Sequence, residues 1–295
     1  MYNQFEVVEM KLMSEKDIAQ SIKEKLSQIE ERENVRIIYA CESGSRAWGF
    51  ASPDSDYDVR FIFVRPAQDY LRVKELPDFI DAELNEIYDI NGWDLKKFFK
   101  QLFKSNPVIF EWANSPIVYK TSDDWEKVKA LMNDYVCKRS MIHHYLGLAK
   151  STMRKSLTGE TVTYKKYFYI LRAVLAASWV FYNESPAPTE YAKLVSAEKE
   201  RLSQGLDDFA EKSFEELLND LHKKKSSASE KASGKRNLSL ENFIDIQMAI
   251  LAGESSDLEK QVFTWKKLDE LFQSIVQAGV NECDRREGSI FNGRN

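Results

Sequence analysis

Ile18, Ile22, Leu26 and Ile29 recur every three or four residues, which puts them on one side of an α-helix. Ser14, followed three residues later by Asp17, can cap its start, because a serine oxygen accepts from first-turn amides that lack a partner. The pattern predicts a helix ending near Asn34. Residues 35–41 are short, β-branched and apolar, and read as a buried strand. Residues 42–49 read as a turn into a short helix, 52–55 as a loop and 56–64 as a second strand. A short helix over 66–74 and a third strand over 85–90 follow, with room for another strand near 78–80. Leu95, Phe98, Phe99 and Leu102 then fall on one side of a helix over 94–104. Asn106-Pro107 opens another, since proline is tolerated in a first turn.

Beyond about residue 123 the pattern is almost entirely helical, with helices expected over 122–133, 137–157, 164–182, 207–224, 238–252 and 256–279. The stretch 223–237 is polar and poor in apolar residues, and reads as a linker or mobile loop. No internal repeat is visible. The predicted class is α+β: an α/β unit over 1–125, a mixed sheet with flanking helices, followed by an all-α unit over 126–295.

Composition narrows the class. With 295 residues, 43% hydrophobic and 30% charged, the chain has material for two domains of ordinary globular character. No apolar run reaches the 18 residues a spanning helix needs, so no membrane partner is expected. Residues 1–15 lack the basic start and apolar core of a secretion signal. Cys41, Cys137 and Cys283 are odd in number and far apart, which fits a reducing cytoplasm better than a disulfide framework or a zinc site. A net charge of −5 argues against a protein that coats nucleic acid along its whole surface. The charge is uneven, however. Between 136 and 173, Lys138, Arg139, Lys150, Arg154, Lys155, Lys165, Lys166 and Arg172 stand against Glu160 alone. That stretch reads either as solvated helix faces or as a phosphate-contacting surface.

Strand residues two apart share a face, so Asp56 and Asp58 project together while Tyr57 and Val59 turn away. Two adjacent carboxylates repel unless a cation lies between them. Magnesium takes oxygen ligands and is usually held by one or two carboxylates plus substrate phosphates. The pair is therefore half of a two-metal phosphoryl-transfer site, with two Mg²⁺ expected and Mn²⁺ as a substitute. Gly44-Ser45 supplies the other half. Glycine lets backbone approach a phosphate, the following amides begin a helix, and Ser45 adds a hydroxyl. Arg46 adds a nearby cation. No GxxxxGK[ST] loop is present.

Alone, Gly-Ser or D-x-D is a weak signal. Between two buried strands, with ten residues (46–55) separating them, the pair resembles the hG[GS]…Dh[DE]h pattern of the DNA polymerase beta superfamily of nucleotidyltransferases. The resemblance implies a polymerase-beta-like catalytic domain and a third carboxylate on a neighbouring strand that helps hold the catalytic metal and accepts the attacking hydroxyl's proton. Asp89 is chosen for that position from its apolar setting between Ile87-Tyr88 and Ile90, with Glu86 second. The competing reading has Asp89 capping an Asn91-Gly92 turn. Asp94 suits the first turn of the next helix instead.

Closer resemblance is to the RNA-ligase-associated branch of predicted nucleotidyltransferases. Its carriers are GSRAWG from Gly44, SDYDVR from Ser55, DINGWDLKK from Asp89, Ser105-Asn-Pro107, Glu111-Trp112, Ser115-Pro116 and KKYFYILR from Lys165, within residues 36–182. That association favours an RNA 3′ end as acceptor and an NTP as donor. Transfer to a protein or small-molecule hydroxyl, and a non-catalytic nucleotide- or RNA-binding module, are the alternatives. Base preference and oligomeric state have no sequence signal. The nucleotide is expected to touch Gly44, Ser45, Arg46, Lys150, Lys165, Lys166, Tyr169 and Arg172; Lys165, Tyr169 and Arg172 lie at i, i+4 and i+7 on one helix face. Glu111, Trp48 and Trp93 read as structural. His143 and His144, adjacent on a helix, face apart and make a poor metal pair.

Overall fold

The computed structural model describes residues 14–52, 55–85, 87–204, 214–221 and 232–291. Helix α1 (Glu15–Glu33) begins with the anticipated cap: the Asp17 amide donates to Ser14 Oγ at 3.3 Å, and Asn34 closes it in the left-handed conformation. Its apolar stripe packs on one face of a five-stranded sheet. The strands are β1 (Arg36–Glu42), β2 (Tyr57–Val64), β3 (Phe79–Leu84), β4 (Tyr88–Asp94) and β5 (Val118–Lys120), in the order β3-β4-β2-β1-β5. Among the described residues of this sheet β2 and β4 run parallel and the other pairs are antiparallel.

Strand periodicity divides the sheet residues cleanly. Val59, Phe61 and Phe63 of β2 and Tyr88 and Ile90 of β4 join Ile18, Ile22, Leu26 and Ile29 in the core beneath α1. Each such buried side chain contributes about 1.5–3 kcal/mol. Ile62 and Val64 point to the opposite face, beneath α4 (Leu95–Phe103), α5 (Pro107–Ala113), α6 (Asp123–Met132) and the later helices. Asp58 and Arg60 alternate with Val59 and Phe61, so they lie on this second face, at its polar end.

The helical part comprises α7 (Lys138–Ser156), α8 (Tyr164–Asn183), α9 (Tyr191–Ser203), α10 (described over 214–221), α11 (Leu238–Glu254) and α12 (Lys266–Phe291). Short helices α2 (Gly44–Trp48) and α3 (Ala67–Tyr70) follow β1 and β2. Core residues of these helices form one continuous cluster with the second sheet face, from Ile38 to Ile275. Helix α12 returns to the sheet unit: Phe272 meets Tyr70 and Phe99 edge-on, and Arg36 donates to the Ile275 carbonyl.

Several elements depart from the sequence reading. Strand β4 begins at Tyr88 and runs through Asn91-Gly92 to Asp94, so those two residues form no turn. Parallel pairing with β2 overrides their turn preference, and Gly92 is needed there because a Cβ would lie 2.1 Å from the Phe61 ring. The helix expected over 66–74 stops at Tyr70. The last helix begins at Lys266, ten residues late, because Trp265 stacks on Phe103 at 3.7 Å and Phe263 packs against Tyr135, anchoring an extended approach. Helix α9 was not anticipated: buried Glu198, bonded by Ser178, interrupts its stripe of Tyr191, Leu194 and Leu202. Within the stretch read as a polar loop, Ser233–Lys235 forms β7, paired antiparallel with β6 (Thr161–Thr163); residues 223–231 lie outside the described residues. Among the described residues no helix is long and apolar enough to cross a membrane.

Candidate active site

The site is built where β1 ends and β2 and β4 begin. Gly44 opens α2 with φ +58, a left-handed conformation that favours glycine. A Cβ there would lie 2.0 Å from Asp58 Oδ2. The turn is thus pressed directly onto the second aspartate of the D-x-D pair. The contact is fixed from the backbone as well: the Ser43 amide donates to the Asp58 carbonyl at 2.8 Å. Ser45 is buried at the start of α2.

Asp58 and Asp89 are directly opposite one another in the parallel β2–β4 register. Because Tyr88 and Ile90 are committed to the α1 core, Asp89 must face the other way, toward Asp58. Glu86, the second candidate for this position, lies outside the described residues. Asp94 caps α4, accepting from the Lys96 amide at 2.7 Å and from the Tyr70 hydroxyl at 3.0 Å.

One charged residue at the site was missed. Arg60 follows Asp58 by two positions and shares its face. Its Nη2 donates to Asp58 Oδ1 at 3.1 Å and to Asp89 Oδ2 at 2.7 Å. Its Nη1 donates to the carbonyls of Asp89 at 2.8 Å and Val59 at 3.1 Å. The period-2 argument that paired Asp56 with Asp58 extends to residue 60 and would have found it. Among the described residues no three acidic, histidine or cysteine side chains already converge in a ligand set, and Arg60 occupies the ground between two of the carboxylates. The donors are carboxylate oxygens, two of them in cross-strand register, which is the chemistry a hard divalent ion takes.

Beneath the site lies Glu42, fully buried. Its Oε1 accepts from the Asp58 amide at 2.8 Å and its Oε2 from the Tyr119 hydroxyl at 2.5 Å. Burial pushes the Glu42 carboxyl up to about 7 despite these bonds. Burial likewise pushes Asp58 up to about 6; Asp56 and Asp89 add to this, while Arg60 and Lys165 oppose it. Carboxyls raised in the folded state favour its protonated form. Their stabilisation is complete below the unfolded value near 4 and is lost as pH rises through 6–7. With a chelator present, the melting temperature should therefore fall between pH 5 and pH 8, and Glu42→Gln should flatten that fall. Parallel wild-type and Glu42→Gln profiles would remove Glu42 as a cause.

The cationic residues divide. Arg46 Nη2 and Nε donate to the carbonyls of Ser55 and Asp56 at 2.7 and 3.1 Å, and its head lies 3.8 Å from the Tyr57 ring centre. It thereby holds the chain entering β2, rather than pointing freely at a ligand. Lys165 acts electrostatically on Asp58, and Lys165 and Lys166 both approach the Tyr169 ring. Tyr169 packs edge-on to Trp48, 5.0 Å away, so α8 meets α2 beside the Gly44 turn. Lys150 and Lys166 are exposed on α7 and α8. Arg172 differs from expectation: it is 3% exposed and points inward to Glu111, because a buried carboxylate there requires a cation. Trp93 packs on Trp112, and His143 and His144 are exposed on α7.

Comparison with known proteins shows the family of the chain. The chain is 38% identical over 178 residues to an uncharacterized protein, YcgL, of Bacillus subtilis (strain 168), covering 60% of this chain and 68% of the relative. It is 28% identical over 139 residues to the uncharacterized protein MJ0002 of Methanocaldococcus jannaschii, covering 46% and 56%. A nucleotidyltransferase-like protein from Exiguobacterium sibiricum aligns over 80% of this chain and 74% of its own, at 12% identity and a TM-score of 0.32. The sequence profile of the RNA repair pathway DNA polymerase beta family matches residues 18–274, most of the chain. The chain belongs to that family, whose description points to nucleotidyl transfer.

Proposed function

We propose that the protein transfers a nucleoside monophosphate from an NTP to a hydroxyl, an RNA 3′ end being favoured, and releases pyrophosphate. The observation that carries this reading is the Asp58–Asp89 pair in cross-strand register, with the Gly44 turn pressed against Asp58. In this reading residues 1–125 carry catalysis and 126–295 supply the helical layer that faces the acceptor.

Asp56, Asp58 and Asp89 would hold divalent ions, Mg²⁺ with Mn²⁺ as a substitute. Such ions supply neutralisation of the charge that develops on the transferring phosphoryl group. The chain's own part is placement. The α2 turn, with Gly44 and Ser45, meets the triphosphate where backbone amides begin a helix. Lys165 and Lys166 contribute positive charge from the α8 side. Asp89 takes the proton of the attacking hydroxyl as its oxygen bonds the α-phosphorus and the bond to the pyrophosphate oxygen breaks. Holding both reactants in line accounts for much of the acceleration.

The RNA preference is supported by the RNA-repair description of the family and by the lysines that α7 and α8 keep on the surface, among them Lys150 and Lys166. Purified protein, each NTP, Mg²⁺ and an RNA with a free 3′ hydroxyl should give pyrophosphate. Asp58→Asn should lower the rate by three or more orders of magnitude (about 4 kcal/mol or more) while the circular dichroism spectrum is retained. Undiminished release in Asp58→Asn would overturn the reading. Labelled ATP offered to tRNA, lysate protein and small acceptors together locates the product; label that survives RNase would move the acceptor away from RNA.

A further inference from the structure

We infer that Arg60 is a positioning residue that competes with the catalytic divalent ion for Asp58 Oδ1 and Asp89 Oδ2, and so sets the ion affinity of the site. The inference rests on the reading of Asp58 and Asp89 as metal ligands. Nη2 donates to those two oxygens at 3.1 and 2.7 Å, one from each strand. An ion that takes both carboxylates must take oxygens already in charge-assisted bonds. The other half of the fork is tied differently. Nη1 donates to the carbonyls of Asp89 and Val59, and these contacts do not depend on either carboxylate. The guanidinium is thus tethered at the mouth of the pair: Nη2 can yield its two oxygens while Nη1 keeps the head beside them. A planar, permanently charged fork holds its two terminal nitrogens in fixed relation, which lets the bonds be divided in this way. Arg60 also separates two carboxylates that would otherwise repel across adjacent strands. Both effects bear on the same quantity, the affinity of the pair for a small cation.

Mn²⁺ binding in the absence of nucleotide, followed by electron paramagnetic resonance, tests this. Arg60→Ala should tighten Mn²⁺ binding on the order of ten-fold or more, from loss of one cation a few ångströms away. Low millimolar guanidinium should then weaken Mn²⁺ binding in Arg60→Ala and leave the wild type unchanged, because only the variant has room for it. Arg60→Gln, which keeps an amide donor for the carbonyls, should show the same tightening if Arg60→Ala does not fold. Affinity within two-fold of wild type in a folded variant, or guanidinium acting equally on both proteins, overturns the inference. Asp58→Asn separates the two levels. If it abolishes Mn²⁺ binding while Arg60 variants match wild type, the metal-site reading stands and this inference falls. If it binds Mn²⁺ as wild type does, both fall.

Discussion

Gly44→Ala should cost at least two orders of magnitude in kcat/KM for pyrophosphate release and destabilise the fold by about 2–4 kcal/mol. Two independent effects act at this residue. Its φ of +58 places any L side chain in the left-handed region, which costs about 1–2 kcal/mol for alanine. The added Cβ would also lie 2.0 Å from Asp58 Oδ2 and 2.7 Å from its Cγ, so either the turn lifts or the carboxylate moves. Displacement of a reacting group by about 1 Å can cost a hundred-fold. Gly49 supplies the control. It too has positive φ, +84, but a Cβ there meets nothing within 4 Å. Gly49→Ala should therefore lose about 1 kcal/mol of stability and little turnover. Thermal denaturation and turnover measured on both variants separate strain from collision. Equal activity losses at the two positions would show that the contact with Asp58 is irrelevant.

The Gly44–Asp58 contact also shows what was readable beforehand. Spacing and strand period were enough to bring the Gly-Ser turn and the D-x-D pair together, because both are local consequences of a strand, a turn and another strand. Asp89 could be placed because Tyr88 and Ile90 are apolar and claim the α1 face. Arg60 was equally legible by the same period, since it follows Asp58 by two positions on the same strand. Other features were not local. The Asn91-Gly92 pair signals a turn until β2 is alongside, and no short-range rule supplies that neighbour. Arg172 shares a helix face with Lys165 and Tyr169, yet helical spacing cannot say which side of the helix meets Glu111. The start of α12 is set by Trp265 on Phe103, a contact 162 positions apart in sequence. Tertiary packing decided each of these cases, in one instance against a correct local preference.

The inward turn of Arg172 leads to the second large effect. Removing either member of the Glu111–Arg172 pair should destabilise the protein by about 3–5 kcal/mol, since the partner is left as an uncompensated buried charge. The two side chains meet at 2.9 Å, and residues Glu111 and Arg172 are 8% and 3% exposed. Glu111 Oε1 also accepts from the Tyr145 hydroxyl at 2.7 Å, and Arg172 Nη2 donates to the Thr189 carbonyl at 3.2 Å. Thr189 in turn donates its hydroxyl to the Glu111 carbonyl at 2.8 Å. One ion pair thus joins α5, which packs on the sheet, to α7, α8 and the segment before α9. A double-mutant cycle in urea checks the claim. Arg172→Met and Glu111→Leu should each be severe, while the double variant should be markedly less destabilised than their sum, because two apolar residues leave no charge to satisfy. Strict additivity would mean that the pair does not act as a unit. The same variants should also reach the chemistry. Arg172 lies 4.4 Å from the Trp48 ring, and Trp48 ends the short helix that Gly44 begins. A folded Arg172→Met should therefore lose turnover as well as stability, and so should the double variant, which removes the buried charges without restoring the cation over Trp48.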